Sequence, residues 1–390
     1  MSDWSRVWAS PLYRGATLAL VLSGLGTSMA APQIVLFLSR ELHAPLPLAG
    51  LFYLTNLTAP FAGFWIGRRS DLSGQRLSLF RLCTLAGVLG WAGIAMAEAV
   101  WVPFLLSAVL LAFAGAAVSQ LFAALDDDLS HEAQGEGVVA VVRMALTGGW
   151  VVGPVLGAWL AASFGMRVMF WATVACNLMQ LVPLTGVTPR PAKARQEKSA
   201  LHLPPRAYLP LAIFTALYVL VYAGEPIKYG FLLIHMEENL HTPATLRGAV
   251  IGIQPLIELV LMPFSVALGR RFGIFPTLAA AAAMGMGANR CFVLWASTTG
   301  MFAGQILMGG VWGIYMVLGL LAAQRLLPGA VATASAIFMS ANALASALGG
   351  LAGGLGVAAF GLPGVFWLPV GFAGLAVMGL IAMSFRRPGS

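Results

Sequence analysis

The chain has 390 residues, 59% of them hydrophobic and only 9% charged, with a formal net charge of +8. Soluble domains carry roughly 25% charged residues, so this composition excludes a protein whose whole surface meets water and leaves lipid as the solvent. The positive charge sits in short clusters between apolar runs. That is a topology signal rather than a nucleic-acid footprint, and no nucleic-acid partner is expected.

A membrane helix needs about 20 mostly apolar residues. The first candidate run, 14–38, contains Ser28, Met29, Ala30 and Ala31, which imitate a signal-cleavage site. It continues through Gln33 to Leu38, too far for a signal segment, and is read as the first span. Further spans are expected at 47–67, 79–97, 102–123, 137–162 and 167–187. A polar stretch follows, with Arg190, Lys193, Arg195, Lys198, Arg206 and four prolines. Six more spans are expected at 208–234, 246–268, 274–295, 298–323, 333–358 and 363–385. The reading is an all-α membrane protein of two six-helix bundles, 1–187 and 208–390, joined by a basic cytoplasmic linker at 188–207. Glycine, with 45 residues, suits close packing of membrane helices.

With both termini inside, the inner segments collect Arg6, Arg14, Arg68, Arg69, Arg76, Arg81, the linker cations, Arg270, Arg271, Arg325, Arg386 and Arg387. The even span count and this bias agree on a multi-pass protein of a bacterial inner membrane. One inner loop runs against the bias, with Asp126, Asp127, Asp128, Glu132 and Glu136. Acidic residues weigh little in this rule, so the orientation stands.

Cys83, Cys176 and Cys291 form no CxxC pair and imply neither a disulfide framework nor a metal site. GxxxxGK[ST] is absent, so an ATP-driven pump is not expected. No cofactor and no catalytic residue is assigned.

The loop after the second span reads GxxxDxxGxR, with Gly67, Asp71, Gly74 and Arg76. Glycines permit a tight turn between helix ends, and the carboxylate can meet arginines or a helix N-terminus. The corresponding loop after the eighth span keeps Arg270, Arg271 and Gly273 but has Gly269 in place of the carboxylate. Any conformational latch there is expected to be asymmetric. The fifth span holds Gly149, Gly153, Pro154 and Gly157 as GxxxGPxxG. Glycines four apart make a smooth helix face and proline bends the helix.

These loop and fifth-span motifs are similar to those of the major facilitator superfamily. Within it the chain resembles the sugar efflux transporter family. The likeness is carried by the stretch Ala31 to Glu41, by Gly50, Tyr53 and Asn56, and by Arg69, Asp71 and Gly74. It continues at Gln120 to Ala123, Val142 to Met144, Gly153 and Pro154, and, in the second half, Gly252, Glu258, Gln324 and Leu327 to Gly329. The resemblance implies the twelve-helix fold, no enzyme activity, and export of sugars or glycosides by proton antiport.

Ionisable groups inside spans are expensive and point to function. Glu258 lies mid-span with Gln254 one turn before it. It is the first choice for proton coupling, against a structural hydrogen bond to a neighbouring helix. Arg143, grouped with Glu258 and Glu225 as a proton-coupling candidate, either binds substrate, pairs with a carboxylate such as Asp71 or Asp126, or reaches the inner interface. Glu225 shares a stripe with Tyr218, Tyr222 and Tyr229, and is either a sugar ligand and coupling group or half of a local pair with Lys228 near the outer end. Neutral candidates for substrate binding are Gln33, Asn56, Gln120, Trp150, Tyr222, Gln254, Gln305, Trp312, Tyr315 and Asn342. Spread over both halves, they would line a midplane cavity. Each can equally hold two helices together.

The expected function is alternating-access export of a sugar or glycoside by a monomer in the lipid bilayer, driven by protons. A proton-coupled multidrug exporter and a non-transporting sensor on the same fold are the alternatives.

Overall fold

A computed structural model describes residues 3–129, 136–187 and 204–385. The expected linker, except for 204–207, falls outside these residues, as do Glu132, Arg386 and Arg387. Among the described residues the regular structure is entirely helical.

Eleven helices are long and apolar enough to cross a membrane. In the first half they are α1 (Pro11–Arg40), α3 (Arg76–Ala95), α4 (Trp101–Leu129), α5 (Glu136–Phe164) and α6 (Met166–Leu184). In the second half they are α7 (Arg206–Glu238), α8 (Ala244–Phe272), α9 (Ile274–Leu294), α10 (Thr298–Leu326), α11 (Val331–Gly364) and α12 (Trp367–Phe385). The twelfth passage, α2 at 46–73, is helical throughout but turns 3₁₀ over Leu51–Thr58 and returns to α at Ala59. Pro60 has no N–H to continue an α ladder back to residue 56, and Thr58 Oγ1 donates to the Thr55 carbonyl at 2.8 Å. This local chemistry interrupts a span that hydropathy alone reads as uniform.

Apolar side chains point outward as well as inward. Phe61, Leu89, Leu105, Phe264, Leu355 and Phe385 are all more than half exposed. Water would not tolerate so continuous an apolar surface, whereas lipid does.

The helices pack in the same order in each half. In the first, α5 lies along α1, α6 along α3, and α4 against α2 and α3. In the second, α11 pairs with α7, α12 with α9, and α10 with α8 and α9. Two compact units result, and the border differs from chain order in one segment. Residues 44–54 pack with the second unit, where the start of α2 lies on α11 and Gly50 meets the backbone of Gly354.

Candidate functional site

In the first unit several charges meet where α2 turns into α3. Gly74 caps α2 in the left-handed region at φ 66°, which lets the chain reverse at once into α3. The reversal brings Arg76 back over the end of α2. Its Nη1 donates to Asp71 Oδ1 and to Ser70 Oγ, each at 2.7 Å, and its Nε donates to Asp127 Oδ2 at 2.9 Å. Ser70 in turn donates to Gln120 Oε1. The acidic run at the end of α4 is thus put to use: Asp127 holds Arg76, and Asp128 accepts the Tyr13 hydroxyl at 2.8 Å. Gln120 joins this network. Gly67 lies within α2, and among the described residues nothing stands within 4 Å of where its Cβ would be.

The fifth-span glycines face α1. A Cβ on Gly149 would stand 2.5 Å from the Leu25 amide nitrogen, and one on Gly157 2.7 Å from the Met29 carbonyl oxygen. Gly153 meets Ser28, whose hydroxyl donates to the Gly149 carbonyl at 3.1 Å. Pro154 lies inside α5 without ending it. In the last turns of α8, rather than in a loop after it, Gly269 packs on Leu318, and Ser265 Oγ donates to the Gly313 carbonyl at 2.6 Å.

The second unit buries its charges in the core. Helix α7 is two pieces, Leu209–Tyr222 and Gly224–Glu238. The break has a local cause, since Pro226 cannot donate back to Tyr222. Glu225 therefore sits in the first turn of the second piece. Lys228 follows one turn later, with its Nζ 2.7 Å from Glu225 Oε2 and also donating to Gln254 Oε1 of α8. The other carboxylate oxygen of Glu225 accepts Trp312 Nε1 of α10 at 2.7 Å. Lys228 is 0% and Glu225 6% exposed. A charge so buried is tolerable only when paired and hydrogen-bonded, and both conditions are met.

Rings surround the pair. The Lys228 ammonium lies 4.2 Å from the Tyr229 ring centre. Tyr222 stands at 5.0 Å from Trp312, and Tyr218 at 4.5 Å from Phe338 and 5.9 Å from Tyr315. The Tyr218 hydroxyl donates to Asn342 Oδ1 at 2.6 Å. Glu258, half-buried one turn beyond Gln254, lies within electrostatic reach of both Glu225 and Lys228. Tyr53, from the 44–54 segment, buries a hydroxyl without a hydrogen-bond partner, and Glu225 is close enough to act on it.

Of the residues singled out in the sequence, Tyr222, Glu225, Gln254, Glu258, Trp312, Tyr315 and Asn342 converge here. Gln305 lies two turns from Trp312 on α10, fully buried, with neither side-chain polar atom hydrogen-bonded. Gln33, Asn56, Arg143 and Trp150 belong to the first unit. Gln33 is buried, while Arg143 is exposed with its guanidinium 5.7 Å from the Phe122 ring centre. The i,i+3 spacing announces the Glu225–Lys228 pair, but the sequence places it near the outer end and the structure buries it completely. Tyr53 carries no such signal, because chain order assigns it to the other half. Chemically, the cluster offers two carboxyl groups against one ammonium, which can hold or release a proton. It also offers amide and hydroxyl groups beside flat aromatic faces.

The family model described as Major Facilitator Superfamily matches residues 16–227. A Deinococcus radiodurans protein provisionally named a sugar efflux transporter is 28% identical, over 96% of this chain and 98% of its own length. Sugar efflux transporter A of Escherichia coli (strain K12) is 26% identical, over 95% of this chain and 94% of its own. The crystal structure of the nucleoside transporter NupG superposes with a TM-score of 0.81 over 96% of this chain and all of that one. At 15% identity this last likeness speaks for the fold alone. The apolar helices, their repeated packing order and these matches establish that the chain belongs to the major facilitator superfamily, as a multi-pass membrane transporter related to its sugar efflux transporters.

Proposed function

We propose that the protein exports a neutral sugar or glycoside from the cell in exchange for protons, by alternating access, as a monomer in the bacterial inner membrane with both termini cytoplasmic. The observation that carries this reading is the buried Glu225–Lys228 pair, bonded to Gln254 and Trp312 and walled by tyrosines. Carboxylate and amide oxygens accept sugar hydroxyls, and aromatic rings cover the apolar face of a pyranose. Glu258 is the group whose protonation drives the exchange, since a membrane-embedded carboxyl crosses between states cheaply only when neutral. Glu225 is both substrate ligand and the second coupling carboxylate. Gln254, Tyr222, Trp312, Tyr315 and Asn342 complete the second unit's contribution; Gln33, Asn56 and Trp150 are substrate-binding candidates of the first unit. The named relatives add weight to a sugar as cargo. The orientation rests on the basic inner segments.

The test is counterflow in proteoliposomes with a panel of labelled monosaccharides, disaccharides and methyl glycosides. Exchange of at least one sugar, with uphill movement only under a pH gradient, is the expected result. Exchange of lipophilic cations without any sugar would replace this reading with multidrug export. Sugar binding without any exchange would replace it with a sensor.

A further inference from the structure

Lys228 is the feature that the proton and sugar roles leave unexplained. It is the one ammonium in the buried cluster, yet two carboxyl groups lie within its reach. Three hydrogens sit on Nζ, and the two described acceptors are Glu225 Oε2 and Gln254 Oε1. Gln254 and Glu258 are i and i+4 on α8, so they stand one above the other on the same face. The amide that holds Lys228 therefore shares a helix face with Glu258. The other titratable groups that feel the pair, among the described residues, are phenols: Tyr218, Tyr222 and Tyr229 on α7, and Tyr53 from the 44–54 segment. None supplies a competing cation.

We propose that Lys228 is a charge switch that positions Glu225. This rests on the export reading. With Glu258 protonated and neutral, Lys228 stays on Glu225 and masks its oxygens. Loss of the proton leaves an anion at Glu258, which draws Nζ along Gln254 and frees Glu225 Oε2 for a sugar hydroxyl. Uptake of a proton by Glu258 returns Lys228 to Glu225 and displaces the sugar. Proton and sugar then compete without sharing an atom, which is what antiport demands.

Two measurements on purified full-length protein test this. The first is the pH dependence of binding for methyl-β-glucoside, or for the panel sugar with the largest counterflow should that one give none. Wild-type affinity should weaken by roughly tenfold per pH unit below the Glu258 midpoint, as for one competing proton. Glu258→Gln, which mimics the protonated state, should bind weakly at every pH. Adding Lys228→Gln to it should restore affinity to within about threefold of the wild-type high-pH value, since nothing then masks Glu225. Lys228→Gln alone should bind without the pH slope. A purely structural ion pair predicts the opposite: no rescue, and a slope retained in Lys228→Gln.

The second measurement needs no sugar. The emission of Trp312, obtained by subtracting the Trp312→Phe spectrum, should change with pH as Lys228 leaves Glu225, and stay constant in Glu258→Gln and in Lys228→Gln. If Lys228→Gln keeps either the binding slope or the emission change, the switch is overturned while sugar export stands. If wild type exchanges no sugar, the export reading falls and the emission titration decides the switch.

Discussion

The Trp312 indole is the cleanest single contact at the candidate site, because it meets only one of the two oxygens of Glu225 and leaves Lys228 on the other. Hydrogen bonds to charged groups contribute about 1.5–3 kcal/mol. Trp312→Phe keeps a ring against Tyr222 but leaves that oxygen bare. Half-saturation in counterflow should rise by roughly 10- to 100-fold, with the pH slope intact. Tyr222→Phe, which removes a hydroxyl and keeps the ring, is the matched comparison and should cost less. Sequence spacing can find a pair such as Glu225 and Lys228, because three residues on a helix are neighbours by geometry. It cannot find a Trp312 that is 87 residues away, or an Asp127 that is 51 residues from Arg76. Such contacts depend on which helices become neighbours, and hydropathy records only that each is apolar.

The approach of α5 to α1 shows how much of an element is written locally. Glycines at 149, 153 and 157 fall on one stripe, and the structure turns that stripe against Leu25, Ser28 and Met29. Without water to drive association, contact of this kind is what holds membrane helices together. Gly153→Leu has no space to occupy and should lower the Tm of the detergent-purified protein and its folded yield sharply. Ser28→Ala removes one bond to the Gly149 carbonyl, and membrane hydrogen bonds average about 0.6 kcal/mol, so its loss of Tm should be small. Gly67→Ala, with open space at its Cβ, should leave the Tm unchanged. A motif read only as spacing gives Gly67 the same weight as Gly74; the backbone separates them, because only Gly74 adopts a positive φ. The 44–54 segment marks the other limit of legibility. Its length and hydropathy predict a helix, which forms, but nothing in either tells which unit it joins.

Across the whole molecule the two units share a packing order and divide the charges. The first unit keeps a network at the α2–α3 turn, where Asp71 is exposed and Arg76 is shared between Asp71 and Asp127. The second has Gly269 at the matching position, near the end of α8, and buries Glu225 and Lys228 in its core beside a half-buried Glu258. This asymmetry predicts that rate and affinity separate by unit. The Asp71 pair is solvent-exposed and worth no more than about 1 kcal/mol, so it suits a contact that is made and broken in each cycle. Asp127 and Ser70 give Arg76 a more enclosed anchor, so its loss should alter how the α2–α3 turn changes state. Arg76→Gln should slow both exchange and net transport by about tenfold while leaving half-saturation and the pH slope at wild-type values. Glu258→Gln should do the reverse: exchange persists at high substrate, while half-saturation rises and the pH gradient no longer drives accumulation. Initial rates of counterflow and of gradient-driven transport, measured over a range of substrate and pH for both variants, separate the two. If Arg76→Gln altered the pH slope, or Glu258→Gln altered only the maximal rate, the Arg76 network and the Glu225–Lys228 cluster would not be functionally separate parts.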